Sequence, residues 1–217
     1  MGPGSALQSV GERGYRLHGA TWVRYEESAH ELMHAAGDHG HDHPARTIHG
    51  HAWRMRFSQP AAGMSTSSME RLPGYENFFL GNESQRWRSR VPAFTGVRYN
   101  GVWPGIDVVY RTVGGDLKYD ILVDPTADPG RIGMLYEGLD GVHLDERGVV
   151  VLKTSVGEVF EMAPVAFYTD GANEPVECRY QLKADVLGFV FGAGVDRTRP
   201  ITIDPVLIAS TLRGATG

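Results

Sequence analysis

Residues 97–125 read VRYNGVWPGIDVVYRTVGGDLKYDILVDP, and this stretch decides the fold. It predicts three short strands, VRY, IDVVYRT and LKYDILV, which are joined by the turns NGVWPG and VGGD. The sequence Gly114-Gly115-Asp116 is typical of a tight hairpin, because glycine adopts the positive φ angles that such turns require. Apolar residues alternate along both strands of this hairpin, so one of its faces must be buried. A hairpin of this kind is not stable alone, and the rest of the chain has to cover it.

The composition indicates a globular domain with many turns. The chain has 217 residues, of which 41% are hydrophobic and 22% are charged, and it contains 28 glycines and 12 prolines. The formal net charge of -5 provides no basic footprint for nucleic acid or for an anionic membrane surface. No apolar run reaches about 18 residues, so no membrane-spanning helix is predicted. The single cysteine, Cys178, excludes an intrachain disulfide and is expected to be a buried apolar side chain.

The spacing of strand signals predicts the fold class. After Pro125, strand-like segments recur roughly every eight to twelve residues and are separated by turns, which is the pattern of a β-sandwich. We therefore expect an all-β protein with very little helix. Its architecture is an antiparallel β-sandwich, built either as one sandwich or as two packed β-subdomains.

Four segments are expected along the chain. Residues 1–5, MGPGS, resemble the remnant of an expression tag. Residues 6–70 are expected to form N-terminal β-hairpins with a histidine-rich loop, and residues 71–205 the main β-sandwich. Residues 206–217 are expected to begin a linker.

Two local predictions concern the segment between these strands. Residues 58–70, SQPAAGMSTSSME, are small and polar, which favours a loop or linker. Asn82 is a suitable N-cap for one short helical turn from Glu83 to Arg86.

One motif suggests catalysis. His30-Glu31-Leu32-Met33-His34 matches the H-E-x-x-H pattern of zinc proteases, in which a helix places both histidines on one metal and the glutamate acts as general base. In the extended form of this motif the third ligand would stand at position 40, which is Gly40. We therefore favour the interpretation that His30, Glu31 and His34 lie on a strand and that the match is coincidental. A zinc-dependent metallohydrolase is the alternative.

The segment around this motif is unusually rich in histidine. Seven of the nine histidines fall between His30 and His51, and the run DHGHDHP predicts a solvated loop. His39, His41 and His43 in this loop are a candidate site for adventitious zinc or nickel. No other cofactor is expected.

Two further groups of residues have alternative interpretations. Four aspartates are expected to gather near strand ends, where they could ligate calcium: Asp107, Asp120, Asp124 and Asp128. We favour the alternative that the aspartates before proline, Asp124, Asp128 and Asp204, initiate turns. The aromatic residues are expected mostly in the core, and the alternative is a glycan-binding platform: Trp22, Trp53, Trp87, Trp103, Tyr99 and Tyr110.

Several motifs occur in a characteristic order from Leu72 onward: LPGYENFFLGN, WRSRVPAF, VRYNGVWPGIDVVY, LKYDILVDPTADPGRI, GEVFEMAPVAFY and RPITIDPVLIASTL. In this order they resemble the uncharacterised N-terminal β-rich domain of bacterial secreted and surface proteins that carry SBBP-type β-propeller repeats. In that family a segment similar to IDPVLIASTL leads into the first propeller blade. The resemblance implies an exported location and a neighbouring β-propeller domain, and it implies no catalytic residues.

These observations lead to one expectation about function. We expect a non-enzymatic extracellular module of a larger bacterial surface or secreted protein, with a structural or interaction role in adhesion or cell-envelope assembly. The expected partners are the adjacent β-propeller domain and a protein or glycan at the cell surface. The zinc metallohydrolase and the glycan-binding module are the alternatives.

Overall fold

The computed structural model describes residues 8–9, 15–16, 21–25, 50–79, 81–113, 116–205 and 207–209. In these ranges it is an all-β, sandwich-like protein with no helix of seven or more residues. Its strands are β1 Gln8–Ser9, β2 Tyr15–Arg16, β3 Thr21–Tyr25, β4 Gly50–Phe57, β5 Ser65–Ser68, β6 Glu76–Phe78, β7 Arg88–Val91, β8 Gly96–Trp103, β9 Ile106–Val113, β10 Asp116–Val123, β11 Met134–Glu137, β12 Gly141–Leu144, β13 Val150–Thr154, β14 Gly157–Glu161, β15 Val165–Tyr168, β16 Pro175–Val176, β17 Cys178–Lys183, β18 Val186–Phe191, β19 Ile201–Asp204 and β20 Leu207–Ala209. Two 3-10 helices, Ser84–Arg86 and Pro129–Arg131, complete the described elements.

The three predicted central strands are confirmed as β8, β9 and β10. They lie in a seven-stranded antiparallel sheet with the order β16-β15-β19-β10-β9-β8-β5. Tyr110 of β9 pairs with Tyr119 of β10, so these residues share one face of the sheet with Ile106 and Ile121. All four side chains are buried, as the alternation predicts.

The predicted turn NGVWPG is too long. Strand β8 continues through Val102 and Trp103, and only Pro104 and Gly105 form the turn. The strand pairing is irregular near Gly101, whose φ of 59° is in the glycine-favoured region. The Gly101 N–H donates to the Asp107 carboxylate at 2.6 Å. Because this kink turns Val102 and Trp103 into the core, the segment stays in the sheet.

A second sheet of five strands covers the buried face of the first, with the order β17-β18-β11-β4-β3. Strand β4 contains the predicted strand segment HAWRMRF and buries Trp53 and Met55. The Phe57 ring lies 5.5 Å from the rings of both Tyr99 and Trp103 in the first sheet. Strands from residues 6–70 and 71–205 therefore share one core, and the boundary between these segments stays a prediction.

A third sheet of four strands, with the order β12-β13-β14-β20, closes the core. Val150, Leu152 and Val159 from this sheet belong to the same buried cluster as the residues of the two larger sheets. The apolar faces of three sheets thus meet in one core.

The predictions for residues 58–70 and for Asn82 are wrong in part. Ser65–Ser68 is strand β5, which pairs with the edge of β8, because an edge strand needs only backbone bonds and one half-buried face. The helical turn is the 3-10 helix Ser84–Arg86, and its N-cap is Glu83, which makes no side-chain capping bond.

No helix in the described part of the chain is long and apolar enough to cross a lipid bilayer.

The close contact between β8 and its neighbours generates a stability prediction. A Cβ atom on Gly96 would lie 2.4 Å from the Tyr110 carbonyl oxygen and 2.6 Å from the Met69 sulfur. We expect Gly96→Ala to lower the free energy of unfolding by about 1–3 kcal/mol, because the overpacked strand must shift. Urea denaturation measures this change.

Gly171→Ala is the matched control, since nothing lies within 4 Å of a Cβ atom at that exposed position. It should change the unfolding free energy by less than about 0.5 kcal/mol. Equal effects of the two variants would contradict the close approach of β8 and β9.

Candidate functional site

A hairpin, which we call the arm and define as residues 69–94, extends the edge of the seven-stranded sheet. Three backbone bonds continue the β5–β8 pairing into its base: Met69 N–H to Gly96 O, Thr95 N–H to Glu70 O and Leu72 N–H to Ala93 O. Beyond this base, β6 and β7 pair only with each other among the described strands. All described residues from Met69 to Pro92 are exposed except Phe78 and Val91. The arm therefore lies outside the core.

The arm carries several large apolar side chains that are exposed to solvent. Tyr75, Phe79 and Trp87 are 55%, 60% and 41% exposed, and Met69 and Leu72 are each 41% exposed. The Phe79 and Trp87 rings contact each other edge to face, with centroids 5.5 Å apart. Clusters of exposed aromatic residues of this kind mark interaction sites, because their burial by a partner is strongly favourable.

Hydrogen bonds within the arm hold this aromatic cluster in place. The indole N–H of Trp87 donates to the Gly81 carbonyl oxygen at 3.1 Å. Arg88 donates to the carbonyl oxygens of Gln85 and Trp87 at 2.9 and 2.8 Å. A surface whose side chains are already ordered loses less conformational entropy when a partner binds.

A polar cluster lies in the core, apart from the aromatic cluster of the arm. Glu161 of β14 is 1% exposed, and its carboxylate accepts hydrogen bonds from the hydroxyls of Tyr119, Tyr136 and Tyr180. Tyr119 belongs to the seven-stranded sheet, and Tyr136 and Tyr180 to the five-stranded sheet. This one carboxylate therefore connects all three large sheets.

Burial shifts the pKa of every member of this cluster. Removal from water raises the pKa of the Glu161 carboxyl above its ordinary value, and the hydrogen bonds from the three tyrosines offset part of that increase. Burial raises the pKa of Tyr119, Tyr136 and Tyr180 well above the ordinary value, and the negative charge of Glu161 raises it further. None of the four groups is exposed to a substrate from solution, so we interpret the cluster as a structural junction.

A serine–histidine pair connects β4 to the turn between β13 and β14. The His51 Nδ1 atom is 2.9 Å from the Ser155 hydroxyl and accepts the Ser155 N–H at 3.2 Å. The His51 Nε2 atom lies 2.6 Å from the Gly138 carbonyl oxygen. A catalytic triad would have a carboxylate beside the second ring nitrogen of the histidine, whereas here that group is a backbone carbonyl. The Nδ1 atom is also shared with a backbone N–H. This geometry caps a turn and lacks the orientation of a catalytic triad.

The structure places the predicted aspartates in different environments. Asp107 is the second residue of β9, near a strand end as expected, whereas Asp120 lies in the middle of β10. Each forms an ion pair with an arginine of the neighbouring strand, Arg98 and Arg111. Asp128 caps the second 3-10 helix by accepting the Gly130 N–H at 3.0 Å, as the Asp-Pro pattern predicts. The arginine partners neutralise the carboxylates that calcium would need.

The predicted metal ligands lie outside the described residues: His30, Glu31, His34, His39, His41 and His43. Within the described ranges no group of three or more histidine, cysteine, aspartate or glutamate side chains is placed to hold a metal ion. Cys178 is half-buried, and burial raises the pKa of its thiol to about 12, so it is not a reactive thiolate.

Sequence reasoning did not identify the arm or the Glu161 cluster. The only signal for the cluster is a glutamate in the alternating segment GEVFE, where Glu161 stands on the same face as Val159. The arm has no distinguishing signal, because exposed and buried aromatic residues look alike in a sequence.

The chain belongs to a family described as a domain of unknown function (DUF7948), whose model matches residues 14–206. No curated protein and no solved structure matches the chain. The family description names no reaction and no propeller repeat, so the resemblance to SBBP-associated domains stays a prediction.

The buried cluster generates a prediction about pH. Because the folded-state pKa of Glu161 is raised, the favourable contribution of this group is complete below its unfolded pKa and is lost as the pH rises through the folded value. Glu161→Gln stays uncharged, so its unfolding free energy should increase relative to wild type between pH 4 and pH 8. Each unit of pKa difference between the folded and unfolded states corresponds to ~1.4 kcal/mol. Urea titrations across this range measure the difference.

Two further variants complete this experiment. Glu161→Leu removes the acceptor of three buried hydroxyls and should cost roughly 2–5 kcal/mol. Glu146→Gln removes one exposed carboxylate, so the change in its unfolding free energy reports the effect of net charge alone. This change is subtracted from the change measured for Glu161→Gln. If the unfolding free energy of Glu161→Gln decreased relative to that of wild type with rising pH, the result would contradict a raised pKa of a buried Glu161 carboxyl.

Proposed function

We propose that this domain is a non-enzymatic interaction module of a larger bacterial surface or secreted protein, with a role in adhesion or cell-envelope assembly. The observation that carries the proposal is the arm, on which Tyr75, Phe79 and Trp87 are exposed. A hydrogen bond to the Gly81 carbonyl oxygen holds the Trp87 indole, and the Phe79 ring packs against it. Tryptophan, tyrosine and arginine provide most of the binding energy in protein interfaces, and the arm contains one tryptophan, one tyrosine and four arginines. The arm's partner in this proposal is the adjacent β-propeller domain of the full-length protein, and the location is extracellular.

The electrostatics of the arm suit a protein surface. Residues 70–90 contain four arginines, Arg71, Arg86, Arg88 and Arg90, and three glutamates, Glu70, Glu76 and Glu83, so their net charge is 4 − 3 = +1. The one ion pair within this group, between Arg86 and Glu83 at 3.9 Å, is almost fully exposed and adds little stability. These charges therefore remain available to form a polar rim around the aromatic cluster.

A binding measurement tests this proposal. The domain and the β-propeller segment are produced separately, and their affinity is measured by isothermal titration calorimetry. The double variant Phe79→Ala/Trp87→Ala should weaken binding by about 100-fold or more, because buried aromatic residues at such centres contribute about 2 kcal/mol or more each.

Val165→Ala is the matched control, since Val165 is 57% exposed on strand β15 and lies outside the arm. It should bind like wild type, and both variants should retain the wild-type melting temperature. Unchanged binding in the double variant would refute the role of the arm. Loss of a glycan-array signal in the same variant would instead favour the glycan-binding module through Trp87.

The zinc metallohydrolase stays a hypothesis, because His30, Glu31 and His34 lie outside the described residues. Metal analysis after dialysis separates it from the interaction module. Stoichiometric zinc that is lost in His34→Ala, together with peptidase activity, would replace our proposal. Zinc that is unaffected by His34→Ala but lost when His39, His41 and His43 are replaced would indicate the adventitious loop site.

A further inference from the structure

A groove with a volume of about 960 Å³ lies where β11 separates from β18. One wall is β18 with the turn that follows it, and the other wall is the 3-10 helix Pro129–Arg131 with Ile132 and Gly133. The groove is distant in sequence from the arm and contains none of the residues of the Glu161 cluster. Its size is within the usual range for ligand sites.

The groove contains an open edge of β18. Strands β11 and β18 pair only at Met134–Leu187 and Leu135–Val186. If this register continued, Ile132 would pair with Phe189, but the Ile132 N–H donates to the Pro129 carbonyl oxygen at 3.1 Å. The 3-10 helix therefore removes β11 from the sheet, and no described strand pairs with the second half of β18 on this side.

The backbone groups of Phe189 and Phe191 point to this open edge. Successive residues of a strand direct their N–H and C=O groups to opposite sides. The Gly192 N–H donates to the Glu177 carbonyl oxygen at 3.0 Å on the β17 side, so Phe189 and Phe191 face the other way. In the described ranges their backbone groups have no hydrogen-bond partner there. An edge of this kind can accept another strand.

The charges around the groove select the chemistry of that strand. Three cationic side chains line it, Arg131, Lys183 and Arg197, against one acidic side chain, Asp128, which leaves a local charge of 3 − 1 = +2. Arg197 lies 3.5 Å from Asp128, whereas Arg131 and Lys183 are exposed and form no ion pair with the described residues. This positive local charge contrasts with the formal charge of -5 for the whole chain. The groove therefore favours an acidic ligand.

We propose that the open edge of β18 binds an extended acidic segment of a partner protein, which adds as a further strand beside Phe189 and Phe191. Two free edge residues at positions i and i+2 match the repeat of a strand, about 6.8 Å. An acidic sugar would have only Phe191 on which to stack, because the other two aromatic residues that line the groove, Trp103 and Phe189, are only 2% and 6% exposed.

The probe for this proposal is a fluorescein-labelled hexapeptide of alternating glutamate and valine with blocked termini. Fluorescence anisotropy at low ionic strength should show binding that weakens as salt is added, because salt screens exposed charges. The same peptide with lysine in place of glutamate should not bind. Absence of binding by the glutamate peptide at low ionic strength would overturn the proposal.

Charge-reversal variants locate the binding site. Arg131→Glu and Lys183→Glu change exposed side chains and should each weaken binding by about tenfold or more. Lys153→Glu on β13 is the matched control, since Lys153 is exposed and lies outside both the groove and the arm, and it should bind like wild type. Circular dichroism confirms that each variant is folded. Binding that depends on Lys153 and not on Lys183 would overturn the assignment.

N-methylation of the peptide separates strand addition from simple charge attraction. A strand beside β18 presents only every second amide to it, so methyl groups on one alternate set should abolish binding and those on the other set should leave it intact. Amide hydrogen exchange at Phe189 and Phe191 should slow when the peptide binds. Equal binding by both methylated peptides, or tighter binding by an oligogalacturonate, would overturn strand addition.

Discussion

The carboxylate of Glu161 is the point on which the packing of the three large sheets depends. A carboxylate that is 1% exposed is costly unless it is hydrogen-bonded, and here the three donors come from two other sheets. The sheets must keep their relative positions within a few tenths of an ångström for all three bonds to form at once. Apolar packing around Val150, Leu152 and Ile121 drives association of the sheets, whereas the tyrosine bonds specify how they associate.

Polar contacts between strands also organise the outer face of the seven-stranded sheet. Arg98, Arg111 and Lys118 each pair with an aspartate of an adjacent strand, Asp107, Asp120 and Asp204. Opposite charges at diagonal cross-strand positions support the register of these strands. Among the residues that the structure describes, the large exposed apolar side chains lie mainly on the arm, which is why the arm stands out as an interaction surface.

The arm and the open edge of β18 differ in how they would bind. The arm offers exposed aromatic side chains, of which Trp87 is held by a hydrogen bond and Phe79 by contact with Trp87, so its binding energy would come from apolar burial. The edge of β18 offers backbone groups and positive charge, so its binding would depend on main-chain hydrogen bonds and on salt. In these two proposals, one domain would contact two partners, or two parts of one partner, by different physical means.

Alternation in residues 97–125 was sufficient to predict the central hairpin, because a strand with one buried face shows a period of two in its own sequence. The same reasoning failed for Ser65–Ser68, whose small polar residues form an edge strand through backbone bonds that have no sequence pattern. It also failed for Val102 and Trp103, which a kink at Gly101 directs into the core. These errors have one cause, which is that backbone pairing and strand irregularities depend on the neighbouring strand.

The sequence by itself determined that the protein is all-β, that β8, β9 and β10 lie together, and that Asp128 begins a turn. Each of these properties depends on residues that are close in the chain. Only the tertiary structure decided that Glu161 meets three tyrosines, that Phe79 and Trp87 stay in water, and that β11 leaves β18 to open a groove. Those properties arise from contacts, or from missing contacts, between segments that are far apart in the chain, and no local pattern of residues records them.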